Sequence, residues 1–318
     1  MTQTLRILLL RLLASLGLAA WYRRANRTRV AVLMYHGVVP DDDPLADGDW
    51  LQVRASEFRA QMVELKRHHR VVRLGDLLQP TTEYDQPRAV VTFDDGYANN
   101  YLHALPILRE LSIPATVFVA TGQVGSDRLF WWDRLRLAQP AIDIPVATVA
   151  ALKVLPPLEL EREVDRLLAE SGRLPPATPP DNFRALRAEE LRALASSGLV
   201  DIGSHTHGHE ILERLSDAEV IGSLRDSQSA LADWGISTRL FAAPNGDYAD
   251  RQIPLIAGQG FDLCVSTQPG LWAPPEAPYR IPRLDIGRGM APAEFALMVS
   301  GAMVSLKRWR SGSAYAGD

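Results

Sequence analysis

Two short stretches hold residues able to do chemistry together. VVTFDDGY, residues 90–97, runs an apolar segment into two adjacent carboxylates, Asp94 and Asp95. Like charges that close repel, burial sharpens the repulsion, and the pair needs something positive beside it. DIGSHTHGHE, residues 201–210, can recruit it, with histidines at 205, 207 and 209. His205 and His209 stand four apart, so on a helical turn both imidazoles project to one face. Neutral imidazole nitrogens at that spacing suit a divalent metal. Two histidines and one carboxylate leave coordination positions open for water and substrate. One aspartate then binds metal while the other stays free as a base. Successive strand residues point to opposite faces, so both carboxylates enter one site only if the strand ends there, with Gly96 making the turn. Alone, a DDG is a common loop and an HxHxH can be a solvated histidine turn; their joint placement carries the reading.

The elements that must position them alternate along the chain. Strand patterns at 29–36, 71–74, 89–93, 114–120, 199–204, 238–244, 262–266 and 280–286 are interleaved with helical spacing at 56–69, 98–111, 188–198, 216–234 and 291–303. Such alternation predicts a parallel α/β sheet, and about seven βα units fit a closed or nearly closed barrel. In such barrels the site lies at the C-terminal ends of the strands. His36, Asp94-Asp95, Ser204-His205 and Asn245 all fall there. Residues 121–187, with FWWDRL at 130–135 and a proline-rich stretch at 174–181, break the rhythm and read as an insertion. The expected organisation is an N-terminal segment over 1–28, a barrel over 29–303 and a tail over 304–318.

With these residues in place, TFDDGY (92–97), GSHTHGH (203–209) and FAAPNGDY (241–248) resemble the first three motifs of the polysaccharide deacetylases, the NodB-homology family of carbohydrate esterases. The resemblance runs from about residue 30 to about residue 288. It implies a distorted (β/α)7 barrel and metal-dependent removal of N-acetyl, or other small acyl, groups from sugars. It also implies Asp94 as general base, Asp95, His205 and His209 as metal ligands, Zn2+ as the usual metal, and the backbone at Asn245 as oxyanion donor. The chemistry is consistent: a metal polarises the acyl carbonyl and lowers the pKa of its bound water towards ~7, and Asp94 accepts the proton as the water attacks. His207 matches no ligand position and is expected to face away.

This sequence departs from the family pattern twice. Ala242 stands where the third motif carries the arginine that holds the base, and RIPRLDI (280–286) lacks the Leu-x-His that gives the general acid. Some members that open like VLMYHGV (32–38) also lack these parts, and the chain resembles that branch. Arg283 is the candidate replacement partner for Asp94, the alternative being a strand-edge arginine. His36, after a buried strand, could protonate the leaving amine or simply hydrogen-bond in the rim. Trp131 and Trp132, with Tyr97, Tyr248 and Trp272, are candidates for stacking on sugar rings; packing of the insertion and contact with lipid are the other readings of the tryptophan pair. Cys264 is expected in the core.

Composition excludes several classes. Of 318 residues, 47% are apolar and 23% charged, which allows a sizeable core. A net charge of −4 argues against a nucleic-acid partner. The single cysteine excludes an intrachain disulfide and a thiolate cluster, so a metal site must use His, Asp or Glu. LRILLLRLLASLGLAAWYRR (5–24) has three readings: a signal peptide with Ala19-Ala20 near its cleavage site, a helix in the membrane interface with Arg6, Arg11, Arg23 and Arg24 at headgroups, or a helix packed on the domain. The arginines after the apolar run favour the cytoplasmic face of a bacterial inner membrane over export. The expected substrate is an N-acylated glycan or glycolipid. A deformylase or deacetylase of a lipid-linked sugar precursor, and a non-catalytic glycan binder on this fold, are the alternatives.

Overall fold

The computed structural model describes residues 3–47, 49–79, 85–138 and 146–305. Seven parallel strands close into a barrel: β1 Val30–Tyr35, β2 Arg88–Phe93, β3 Ala115–Val119, β4 Val200–Ser204, β5 Leu240–Ala242, β6 Leu263–Pro269 and β7 Ile281–Asp285. Closure is made by β1, which pairs with β2 from Val30↔Arg88 to Tyr35↔Phe93 and with β7 at Leu33↔Leu284. The barrel is distorted where β5 is only three residues long and meets β4 at Ser204↔Phe241 alone. This is the expected (β/α)7 architecture. The strand expected at 71–74 shrinks to Arg70–Val71, which adds to the start of β2 outside the ring.

β1 and β2 are buried along their whole length, as parallel strands covered on both faces must be. Ala31, Leu33, Ala89 and Val91 pack outward onto the helices, while Val30, Val32, Val90, Phe118, Val265 and Ile281 fill the barrel's lower interior. The period of two then carries the inward face upward, from Val90 to Thr92 and Asp94 on β2 and from Ile281 to Arg283 on β7. The apolar plug gives way to a polar layer at the mouth.

The helices are α1 Gln3–Ser15, α2 Leu18–Ala25, α3 Ala55–His68, α4 Leu105–Leu111, α5 Trp131–Leu137, α6 Val146–Lys153, α7 Pro157–Ser171, α8 Ala188–Ala195, α9 Asp217–Asp233, α10 Ile253–Gly258 and α11 Pro292–Val299. α9 opens with the expected cap, Ser216 accepting from the Glu219 N–H while the Glu219 side chain accepts from the Ser216 N–H. The insertion holds α5, α6 and α7, joined by a small core of Leu135, Leu152, Val164 and Leu168. At the N-terminus, Gly17 at φ 79° separates α1 from α2, and Leu10 and Ala19 are buried against Leu297 and Ala302. The expected tail lies outside the described residues from 306 onward.

His69, at the end of α3, is buried. Burial first, then the charges of Arg23 and His68, push its pKa down from 6.5 to about 4. The native protein therefore keeps this ring neutral while the unfolded chain protonates it. Stability is fully present above about pH 6.5 and is lost as pH falls towards 4. Urea denaturation should show wild type losing roughly 3 kcal/mol more than His69→Gln between pH 7 and pH 4. Parallel pH dependence in the two proteins would contradict this assignment.

Candidate metal centre

Asp94 lies at the mouth end of β2 on the inward face, so Asp95 by alternation should point away. Instead the chain turns immediately: Asp95 takes φ 72° and Gly96 φ 78°. A left-handed conformation is uncommon for a residue with a Cβ and clusters at functional sites. The Gly96 N–H closes the turn on the Asp94 carbonyl at 2.9 Å. A side chain at Gly96 would meet Val119 at 3.0 Å, so the turn also sits hard against β3. The result swings both carboxylates into the mouth.

His205 follows β4, and His209 follows a loop that is not a helical turn. Thr206 at φ 65° and His209 at φ 62° bring the two rings together, which corrects the helical placement expected from their spacing. Several bonds hold this loop. Thr121 Oγ1 meets His207 Nδ1 at 2.9 Å, the Gly122 N–H donates to the His207 carbonyl, and Ser223 ties the His207 N–H to Glu210. His207 is thus a loop tie.

His205 Nε2 and His209 Nε2 lie 3.5 and 3.2 Å from Asp95 Oδ1, and one donor atom from each of the three residues falls within 4.8 Å of the others. Donors on a tetrahedral zinc with ~2.1 Å bonds stand about 3.4 Å apart, so this set fits a divalent cation. His205 Nδ1 is 2.7 Å from the Ala242 carbonyl. As donor to that carbonyl it leaves Nε2 free as a ligand, the usual outer support of a metal-binding histidine. Burial pushes the Asp95 carboxyl up, but His205, His209 and His36 more than reverse it and hold it below the usual range. His205 is shifted the other way: burial opposes its protonation, and Asp95 and Asp94 outweigh the burial and raise it. Both directions describe a pocket that attracts positive charge.

Asp94 is kept out of this cluster. Arg283 on β7 donates to it through both terminal nitrogens, each at 2.7 Å, and also reaches Thr92 Oγ1 and the Ser266 carbonyl. Both partners are fully buried. Burial pushes the Asp94 carboxyl up, and Arg283 and His205 overcome this and hold it below the usual range. The carboxylate is therefore charged, oriented and held apart from the Asp95, His205 and His209 cluster.

Residues 81–263 match the family model for polysaccharide deacetylase. The chain belongs to the polysaccharide deacetylase family. The poly-beta-1,6-N-acetyl-D-glucosamine N-deacetylase of Staphylococcus aureus is 24% identical over 244 residues, covering 73% of this chain and 67% of that one. Among solved structures, IcaB from Ammonifex degensii aligns with a TM-score of 0.60 at 21% identity, covering 86% of this chain and 97% of that one. The Streptococcus pyogenes deacetylase PplD, solved in complex with acetate, gives 0.59 at 20% identity, covering 85% and 98%. These structures share the fold. Family membership makes the chain a hydrolase of the deacetylase class.

The deacetylase cleft above Asp94 and Asp95 encloses about 480 Å³. Trp131 and Trp132 wall it from the insertion, and His36 and Asn245 come to its rim as the sequence implied. Trp132 stacks on buried Phe130 at 4.6 Å and meets His209 edge-on at 5.0 Å, so the insertion braces a candidate metal ligand directly. Asn245 adopts φ 55°, and no turn or loop hydrogen bond among the described residues uses its N–H.

Three aromatic candidates lie elsewhere. Tyr97 is fully buried; it donates to Asp133 Oδ2 at 2.7 Å and accepts from Trp132 Nε1 at 2.9 Å, propping the cleft wall from behind. Tyr248 is buried in the core between α9, α10 and β5, with its hydroxyl on the Tyr279 carbonyl. Trp272 bridges to Val30 at the base of the barrel, the opposite end from the site. Cys264 is buried in the core as expected.

Asp49 was not legible in the sequence. It lies buried in the cleft wall, 3.1 Å from Arg136 Nε, and burial raises its carboxyl against the pull of Arg136 and His36. It belongs to the aspartate-rich loop 41–49, where nothing marks one carboxylate above the others. Asp285 also faces the cleft and accepts from Trp50 Nε1 at 3.2 Å.

Proposed function

We propose that this protein removes N-acetyl groups from an amino-sugar glycan in a metal-dependent hydrolysis. The observation that carries the reading is the separation of tasks between neighbours: Asp95 joins His205 and His209, while Asp94 is held apart on Arg283. A divalent cation on Asp95, His205 and His209, most simply Zn2+, would supply Lewis acidity to the acyl carbonyl and acidify water at the site. Asp94 takes the proton of the attacking water. The Asn245 N–H, at the cleft rim, would receive the developing oxyanion, where charge appears in the transition state. Trp131 and Trp132 offer flat apolar faces to a sugar ring beside His209. The S. aureus relative named for poly-beta-1,6-N-acetyl-D-glucosamine makes β-linked N-acetylglucosamine oligomers the first substrates to try.

His36 is the group proposed to hand a proton to the departing amine. It lines the cleft together with Asp49. His36→Ala should lower turnover on an N-acetyl sugar about a hundredfold, and far less on an aryl acetate, whose leaving group needs no proton. Unchanged turnover on the N-acetyl sugar would leave His36 a rim residue only. The reading as a whole is tested by acetate and formate release from a panel of N-acyl glycans and glycolipids, with and without chelator. Acetate release abolished by chelation and restored by Zn2+ is expected. Formate from a lipid-linked sugar would favour the precursor deformylase, and binding without release would favour a glycan-binding protein.

A further inference from the structure

Helix α1 is apolar on both sides. Its inner side, with Leu10, Leu13 and Ala14, packs towards α11. Its outer side leaves Leu8, Leu9 and Leu12 exposed, and Leu16 just past its end, all between 43 and 73%; Trp21 on α2 joins them. Large exposed apolar patches mark interaction sites.

Charge identifies the cover. The first 40 residues hold six arginines and no Asp or Glu, in a chain of net charge −4. Arg11, Arg24, Arg27 and Arg29 are exposed and make no ion pair among the described residues. Two copies meeting through this patch would bring like charges together. An anionic lipid surface would neutralise the arginines while its acyl layer took up the leucines. Tryptophan is the side chain suited to the boundary between those two zones. No helix among the described residues is long and apolar enough to cross a membrane.

We propose that α1 and α2 dock the protein on an anionic bilayer, with Leu8, Leu9, Leu12 and Leu16 in the upper acyl layer, Trp21 at its edge and the arginines at lipid phosphates. α2 leads into β1 at the base of the barrel, and α1 lies against α11 on the outside. Docking therefore leaves the cleft at the other end open to a glycan, and membrane binding and turnover are separable.

The test is co-sedimentation of the full chain with vesicles of phosphatidylcholine alone or mixed equally with phosphatidylglycerol. Binding is expected on the mixed vesicles and should weaken as salt rises from about 0.1 M to about 0.5 M. Leu8→Glu with Leu12→Glu should cut it at least about tenfold, since each change places a carboxylate in the acyl layer. Arg24→Glu with Arg27→Glu should lower binding to the mixed vesicles only. Both variants should keep the wild-type circular dichroism and acetate release from a soluble substrate. Equal binding by the leucine variant, no preference for the anionic lipid, or a lipid-free dimer that the leucine variant dissociates would overturn the proposal. The last result would assign the patch to a second copy of the chain.

Discussion

Asp94→Asn is expected to reduce acetate release about a thousandfold while the protein still binds one divalent cation, because a positioned general base contributes ~10²–10⁴. The substitution keeps the shape of the side chain but removes its ability to accept a proton at neutral pH. The cation-binding set should survive, since Asp94 is tied to Arg283 and lies outside the Asp95, His205 and His209 cluster. Acetate release, read together with metal content, distinguishes this from a structural role. With the wild-type circular dichroism retained, loss of both together would make Asp94 a ligand, and retention of both would remove it from the chemistry.

The second large effect is expected at Arg283. Arg283→Met leaves Asp94 buried without its partner, and breaking a buried ion pair from one side costs about 3–5 kcal/mol. Thr92 Oγ1 and the Ser266 carbonyl also lose a donor. The same change alters the pH dependence in a definite direction. Arg283 helps hold the Asp94 pKa below its ordinary value, against the upward push of burial. With the guanidinium gone the carboxyl rises, so the acid limb of the rate profile must move to higher pH. In wild type the pair stabilises the fold above the unfolded carboxyl pKa of about 3.9 and that contribution is lost as pH falls below it. In Arg283→Met that contribution is absent, and the push of burial, no longer opposed by the guanidinium, makes the charged carboxylate a cost as pH rises. Arg283→Lys should restore part of the stability but not the forked geometry, because an ammonium cannot present two parallel donors. A variant with wild-type stability and an unmoved acid limb would show that Arg283 does not hold the base.

Much of this was legible in sequence because parallel barrels impose strong patterns. The run at 30–35 is apolar throughout and that at 89–93 is broken only by Thr92, which is what burial on both faces demands. Arg283 was a candidate partner for Asp94 because Ala242 stands where the resemblance calls for an arginine. The choice between that and a strand-edge arginine rested on the fold, where the period of two along β7 puts Arg283 on the inward face above Ile281. The parts that were not legible depend on loops. His205 and His209 have helical spacing but meet through two left-handed residues, and sequence spacing does not reveal a positive φ on Thr206 or His209. Trp272 lies in a crossover that must return from the mouth of β6 to the base of β7, and nothing local states how far along that return it sits. Tyr97 follows the acidic pair by two residues, yet the Gly96 turn sends it behind the wall, onto Asp133. Asp49 joins the site from a loop whose aspartates look alike until the fold buries one.

Anomalous diffraction at the zinc edge, from crystals grown with Zn2+, tests the central claim most directly. One peak is expected about 2.0–2.2 Å from a carboxylate oxygen of Asp95 and from Nε2 of both His205 and His209. Asp94 should remain forked on Arg283, outside bonding distance. A peak at other residues, or one bonded by Asp94 in place of Asp95, would contradict the account.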